Sequence, residues 1–226
     1  VQTWVALEGR IDALRQVKTE EELTYLAKAE EIGDKAFTRL LKVLKPGMTE
    51  LEVAAELEYF MKQEGAEDLS FNTIVASGLN SSMPHAIPGY KKIEEGDFIT
   101  CDFGCKYKGY CSDMTRTVVL GKANEKQKEI YNVVLKAQLA GLEAVKAGVS
   151  GSSVDKVSRD IITEAGYGEY FGHGLGHSVG LFIHENPRLS PSDDTILQAG
   201  MIETVEPGIY VPGFGGVRIE DMVVVT

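Results

Sequence analysis

An α+β fold of two similar halves, each a pair of helices followed by a β-hairpin, is the architecture that this sequence predicts. Three observations predict it. Apolar residues recur at helical spacing in four blocks, β-branched runs fall in two turn-separated pairs, and a helix-junction pattern repeats 101 positions further on. With 226 residues, 43% of them hydrophobic and 25% charged, the chain has the length and composition to bury a sizeable core around that arrangement.

The first helix opens on a Thr-x-x-Glu start at Thr19 and Glu22. Leu23, Leu26, Ala29, Ile32, Ala36, Phe37 and Leu40 follow at helical spacing to about Leu44. Lys45-Pro46-Gly47 ends it, Thr49 caps a second helix over Glu50 to Glu64, and Gly65 closes that one. Phe98 to Gly104 reads as a strand, Lys106 to Gly109 as a turn, and Ser112 to Leu120 as the returning strand. The second half begins with helices over Glu125 to about Ala147 and Ser150 to Ala165, stopped by Gly166. A stretch rich in glycine and histidine, Gly168 to Glu185, leads to a hairpin of Met201 to Tyr210 and Gly216 to Thr226, joined through Val211-Pro-Gly-Phe-Gly.

Lys45-x-Gly47-x-Thr49-x-x-x-Val53 returns as Lys146-x-Gly148-x-Ser150-x-x-x-Val154, and Gly65 returns as Gly166. Any helix junction selects glycine and a capping hydroxyl. The matching hairpins nevertheless point to an internal duplication, which would set two hairpins about a pseudo-two-fold axis with the helices outside.

A net charge of -11 opposes attraction to phosphate backbones and anionic lipid, so nucleic acid and membrane are excluded as first partners. No apolar run reaches the roughly 18 residues that span a bilayer, and the start lacks the basic, apolar and small-residue succession of a secretory signal. Cys101, Cys105 and Cys111 are odd in number and crowded, which suits neither a disulfide framework nor a thiolate metal site. They read as small apolar residues packed in strands of a cytoplasmic protein.

The chemistry is carried by acids. Opposed residues of an antiparallel hairpin have a constant index sum and share a face. For Asp102 and Asp113 the turn centre falls between Tyr107 and Lys108, inside the turn-like stretch, so the two are expected to face each other. For Glu206 and Glu220 it falls at Gly213, inside the second connection, and they too are expected to be opposed. Four carboxylates meeting in a low-dielectric site cannot all stay ionised unaided. Two divalent cations would neutralise them, and a neutral imidazole would complete the shell without adding charge. Two solvent-facing pairs, or a metal-free dyad sharing a proton, are the competing readings.

His173, His177 and His184 lie among glycines that let backbone pass close to a site, and His85 follows Met83-Pro84 in a loop. The glycines do not fit G-x-G-x-x-G, and His184-Glu185 does not begin H-E-x-x-H because position 188 is Arg. A nucleotide loop and a thermolysin-type zinc site are thereby excluded. Which histidine ligates stays open at this level.

With these residues in view, the chain resembles the pita-bread metallopeptidases, the group of methionine aminopeptidases, aminopeptidase P and prolidase, over nearly its whole length. The resemblance implies a central curved antiparallel sheet with outer helices and the ligand set Asp102, Asp113, His177, Glu206 and Glu220. In that set Asp113 and Glu220 bridge two ions, Asp102 holds one side, His177 and Glu206 hold the other, and Glu206 also takes the proton of the nucleophile. His85 and His184 stand on the substrate side, where they stabilise the tetrahedral intermediate, and His173 lines the pocket. Both Glu ligands lie on one tight hairpin, in Thr204-Val-Glu206-Pro-Gly and Val217-Arg-Ile-Glu220-Asp. With Arg116 and Arg218, this is similar to the pattern of prolidase and aminopeptidase P. Arg218 shares the strand parity of Glu220 and is expected to face the site as a catalytic group.

The activity implied is hydrolysis of the Xaa-Pro bond of dipeptides or of peptides with proline at the second position. Two divalent ions, manganese first and cobalt, zinc or iron after it, would activate the attacking hydroxide. Such relatives carry a further N-terminal domain. Residues 1–18 are therefore expected to be the remnant of a linker from it, residues 19–226 the catalytic domain, and the full-length protein a homodimer. A methionine aminopeptidase and a non-catalytic binding module on the same fold are the alternatives.

Overall fold

A computed structural model describes residue 4, residue 6 and residues 9–226. Part of the expected linker, 1–18, lies outside the described residues. The rest is not a plain tail, since it includes a helix, α1 (Arg10–Gln16), and ends at a buried Lys18. The two helix pairs follow as α2 (Glu20–Val43) with α3 (Glu50–Gln63), and α4 (Glu125–Ala144) with α5 (Gly151–Glu164). Thr19 accepts from Glu22 N at 3.3 Å while the Glu22 carboxylate accepts from Thr19 N at 2.7 Å, and Thr49 and Glu52 repeat this reciprocal cap. α4 stops at Ala144 rather than Ala147, because Val145 turns extended and Ala147 N donates to Thr226 O at 3.0 Å.

The strands of the first half are β1 (Asp68–Leu69), β2 (Ile74–Ser77), β3 (Phe98–Phe103), β4 (Cys105–Tyr107), β5 (Tyr110–Cys111) and β6 (Met114–Val119). Those of the second are β7 (Gly176–Ser178), β8 (Glu185–Leu189), β9 (Ile202–Val205), β10 (Gly208–Val211), β11 (Gly215–Arg218) and β12 (Asp221–Val224). All ladders are antiparallel, with β2-β3-β6 in one half answered by β9-β12 and β10-β11 in the other. One core gathers Ile32, Leu40, Leu57, Met61 and Phe103, and a second gathers Ile130, Val134, Ile162, Leu175 and Val217. The three cysteines are buried and free in β3, β4 and β5, as expected of small apolar strand residues. No helix among the described residues is long and apolar enough to cross a membrane.

The backbone hydrogen bonds carry the expected duplication. Gly47 donates to Ile93 O and Gly148 to Leu197 O, both at 2.9 Å, and both glycines sit at φ 89°. Ile93 and Leu197 donate back to Met48 O and Val149 O, both at 2.8 Å. Gly96 donates to Leu120 O as Gly200 does to Val225 O. Carried along the strands, these matches set Asp102 against Glu206 and Thr115 against Glu220. The pseudo-two-fold axis passes between Thr115 and Glu220, which bridge each other through Glu220 N and Thr115 O at 3.1 Å.

The second hairpin keeps the expected register. Val205 pairs with Asp221 and Gly208 with Arg218, which sets Glu206 opposite Glu220. The first does not. Lys108 and Gly109 both have positive φ, 51° and 81°, so the turn centres between them and Asp102 pairs with Thr115 instead of Asp113. Asp113, two residues from Thr115, still shares the face of Asp102, but as a diagonal neighbour. The hairpin is also interrupted at Gly104, where a Cβ would overlap Ser112 O, and its tip joins β1 in a separate sheet.

Candidate metal centre

The two hairpins and β7 bring Asp102, Asp113, His177, Glu206 and Glu220 to one cavity of about 360 Å³. His177 is placed by β7, its N–H donating to Thr204 Oγ1 at 3.0 Å. Its Nδ1 lies 3.1 Å from Ser178 O, which only accepts, so Nδ1 carries the proton and Nε2 presents a lone pair. Burial lowers the His177 pKa to about 4, which keeps the ring neutral near pH 7. That lone pair faces Asp113 Oδ2 and Glu206 Oε1, each at 3.4 Å. Acceptors meeting acceptors in a buried site need either protons on the acids or a cation among them.

The carboxylates give the same answer. Asp113 and Glu220 are 5% and 1% exposed, and one ligand atom from each lies with His177 in a group within 4.8 Å. Asp102 Oδ1 and Glu220 Oε1 are buried with no hydrogen-bond partner among the described residues. Burial, then repulsion from neighbouring acids, holds Asp113 and Glu220 well above the usual carboxylate range. Burial also lifts Glu206 to about 7 and raises Asp102, each opposed by the charge of Arg218. Oxygen-rich donors with one neutral imidazole and orphaned lone pairs fit divalent metal ions.

Arg218 is tied into the frame of the site. Its Nη2 donates to Asp102 Oδ2 at 2.6 Å, its Nε to Thr115 Oγ1 at 3.0 Å, and its Nη1 to Tyr210 Oη at 2.8 Å. Thr115 Oγ1 in turn donates to Glu220 Oε2 at 2.6 Å. Tyr210 Oη lies 2.9 Å from His173 Nε2, and His173 Nδ1 lies 2.8 Å from Gly174 O. One hydrogen-bonded chain thus runs from the pocket wall to two acids of the cluster, and it leaves neither His173 nitrogen free for a ligand. His173 therefore lines the pocket with its ring alone, while burial lowers its pKa to about 4.

His85 and His184 are exposed on the cavity rim, the His184 ring 4.5 Å from that of His177 between centroids. Burial and then Arg188 lower the His184 pKa. Arg116 is not brought to the cavity. It pairs with Asp221 at 2.6 Å and donates to the Glu220 carbonyl, bracing the ligand strand from behind. The arginine that sequence reasoning passes over is Arg188, opposed to His177 across β7 and β8 and lining the cavity. Asp193 accepts from its backbone N–H at 2.8 Å rather than from its guanidinium. Strand parity with His177 was the available signal, but β8 is short and flanked by irregular chain. Phe71, Ile74 and Ile183 supply apolar wall.

The sequence profile of metallopeptidase family M24 matches residues 24–226. A Xaa-Pro dipeptidase of Pyrococcus furiosus is 50% identical over all of this chain, which covers 65% of that protein. A solved Xaa-Pro dipeptidase from Bacillus anthracis superposes with a TM-score of 0.95 and 55% identity over 96% of this chain and 61% of its own. An X-Pro aminopeptidase from Thermotoga maritima superposes with a TM-score of 0.96 and 45% identity over 99% of this chain and 64% of its own. The chain spans less than two thirds of each of these relatives.

Proposed function

The chain belongs to metallopeptidase family M24, and from that premise we propose that it hydrolyses the bond before proline in Xaa-Pro dipeptides, with two divalent ions, manganese by preference. The observation that carries this is the set of five inward donors, with a neutral imidazole lone pair aimed at carboxylates and buried oxygens lacking partners. Relatives named Xaa-Pro dipeptidases supply the substrate class. Residues 19–226 are the catalytic domain and the protein is a cytoplasmic homodimer; the family resemblance supports the domain and the dimer, and three free cysteines support the compartment.

Asp102, Asp113, Glu206 and Glu220 would hold the ions through carboxylate oxygens, and His177 through its Nε2 lone pair. Bound ions would polarise the scissile carbonyl and ease ionisation of a water. Glu206 takes the proton of the attacking water and returns it to the proline nitrogen as that leaves. His184 and His85 donate hydrogen bonds where the carbonyl oxygen gains charge, His184 as a neutral ring. Arg218 holds Asp102 through its charge-assisted hydrogen bond, so it works on a ligand and not on substrate.

Arg188 favours dipeptides over longer peptides, because a guanidinium in the cavity offers a bidentate partner to the free carboxylate of the proline residue. The test is elemental analysis of the purified protein followed by turnover of Ala-Pro, Ala-Pro-Ala and Met-Ala with added manganese. Preferred cleavage of Ala-Pro is expected, with Asp113→Ala losing both metal and turnover. Cleavage of Met-Ala alone, or parent turnover in Asp113→Ala, overturns the assignment.

A further inference from the structure

The loop between β2 and β3 carries Pro84 and His85 to the cavity, and among the described residues the exposed His85 ring has no hydrogen bond to place it. Its position is set by its backbone. At the neck of that loop stands a carboxylate that the proposed reaction leaves unused: Glu50, the first residue of α3, 1% exposed. Its Oε1 accepts from Ser77 N at 2.8 Å, Ser77 Oγ at 2.9 Å and Asn80 Nδ2 at 3.0 Å. Its Oε2 accepts from Asn80 Nδ2 and Gly89 N, both at 3.2 Å. Ser77 ends β2, Asn80 lies before His85 in the loop, and Gly89 lies four residues after it, so the three bracket the 77–89 part of the loop. Lys91 Nζ, 3.0 Å from Ser77 Oγ and 2.8 Å from Asp97 Oδ2, closes the neck from the other side.

Helix capping does not account for this residue, because Thr49 and Glu52 already form the reciprocal cap of α3. A buried carboxylate is stabilised where donors surround it, and the donors that surround Glu50 belong to the end of β2 and to the His85 loop that follows it. We infer that Glu50 is a positioning residue: by stapling both ends of the 77–89 loop to the start of α3, it fixes His85 over the substrate. This rests on His85 standing on the substrate side. Glutamine cannot replace it, since in either orientation its amide nitrogen opposes an N–H donor of Ser77 or Gly89.

The test uses the manganese-loaded full chain. Glu50→Gln is expected to lower kcat/KM for Ala-Pro about ten-fold or more, with manganese content unchanged. In a His85→Ala background the same substitution is expected to change it by less than about two-fold, because no ring is left to position. Amide exchange over 78–88 is expected to speed up about ten-fold while that of α4 and β9 is unchanged. Asn80→Ala removes one arm of the staple, leaves the carboxylate in place, and should show the same non-additivity if Glu50→Gln fails to fold. An equal loss in both backgrounds, or unchanged exchange over 78–88, overturns the inference. Parent turnover in His85→Ala would instead sink the substrate-side role of His85, and with it the catalytic part of the inference, while exchange still decides whether Glu50 fixes the loop.

Discussion

Stripped of metal, the protein should weaken as the pH rises above neutrality. Burial, against the opposing charge of Arg218, holds the Glu206 carboxyl at about 7 where its ordinary value is 4.5, and Asp113 and Glu220 stand well above their ordinary values. In the metal-free fold these groups keep protons that the unfolded chain has already released, so raising the pH favours unfolding. His173 and His177, both lowered to about 4, act in the opposite sense; at their ordinary 6.5 half of each unfolded ring is still charged, so between about pH 6.5 and about 8 they return roughly 0.4 kcal/mol each. Over that interval the carboxyls act against this small gain. Across it Glu206 alone removes roughly 0.8 kcal/mol, and Asp113 and Glu220 at most about 2 kcal/mol each, at about 1.36 kcal/mol per proton and pH unit. The histidine gain offsets the Glu206 share, so the net loss is that of Asp113 and Glu220, up to about 4 kcal/mol, which at its fullest lowers Tm by ~8 °C or more in a chain of this size. A divalent ion bound by these carboxylates would take the place of those protons, so added manganese should flatten the dependence. Thermal unfolding followed by circular dichroism in EDTA and in manganese, at fixed ionic strength, measures both slopes, and metal-free Glu206→Gln should lose its share. A metal-free Tm that is constant or rises over this interval, or equal slopes with and without manganese, refutes the reasoning.

Arg188→Ala should raise KM for Ala-Pro roughly 10- to 100-fold, the worth of a charge-assisted hydrogen bond, and leave Ala-Pro-amide nearly unaffected; equal effects on the two substrates in steady-state assays would remove the carboxylate contact. Tyr210→Phe leaves Arg218 Nη1 and His173 Nε2 without their shared partner, so denaturant unfolding should show a loss of about 1–3 kcal/mol, and no loss would mean the chain of bonds is idle. Gly176→Ala drives a methyl into the Thr204 carbonyl, so a fall of about 1–3 kcal/mol is expected by the same measurement, with unchanged stability counting against this packing of β7 on β9.

Register, more than composition, decided what could be read before the structure. The connection between Val211 and Gly215 is centred on Gly213, so opposing Glu206 to Glu220 needed only the index sum. The first hairpin hid its register because Lys108 takes a left-handed backbone, which lysine does not advertise. The four carboxylates were legible all the same, since an error of two leaves strand parity intact. His177 was not separable from His173 by residue type: what distinguishes them is Ser178 O on one ring and Tyr210 on the other. Tyr210 shares the face of Arg218 across β10 and β11, but a tyrosine in a strand is ordinarily core. β2 and β7 went unread because each is four residues or fewer, too short for a period to show. Glu50 looked like any acid in a first helical turn.

Thr115 stands where strict repetition of the second half would have put a glutamate, facing Glu220 across the axis. A molecule doubled without variation would bring two identical acids together at its centre, each with nothing to give the other. Replacing one of them with a hydroxyl turns that stand-off into a handshake, since the group opposite Glu220 now donates at 2.6 Å, and the displaced acid reappears two residues away as Asp113. The halves thereby cease to be interchangeable. Whatever binds at their seam meets a left hand and a right hand.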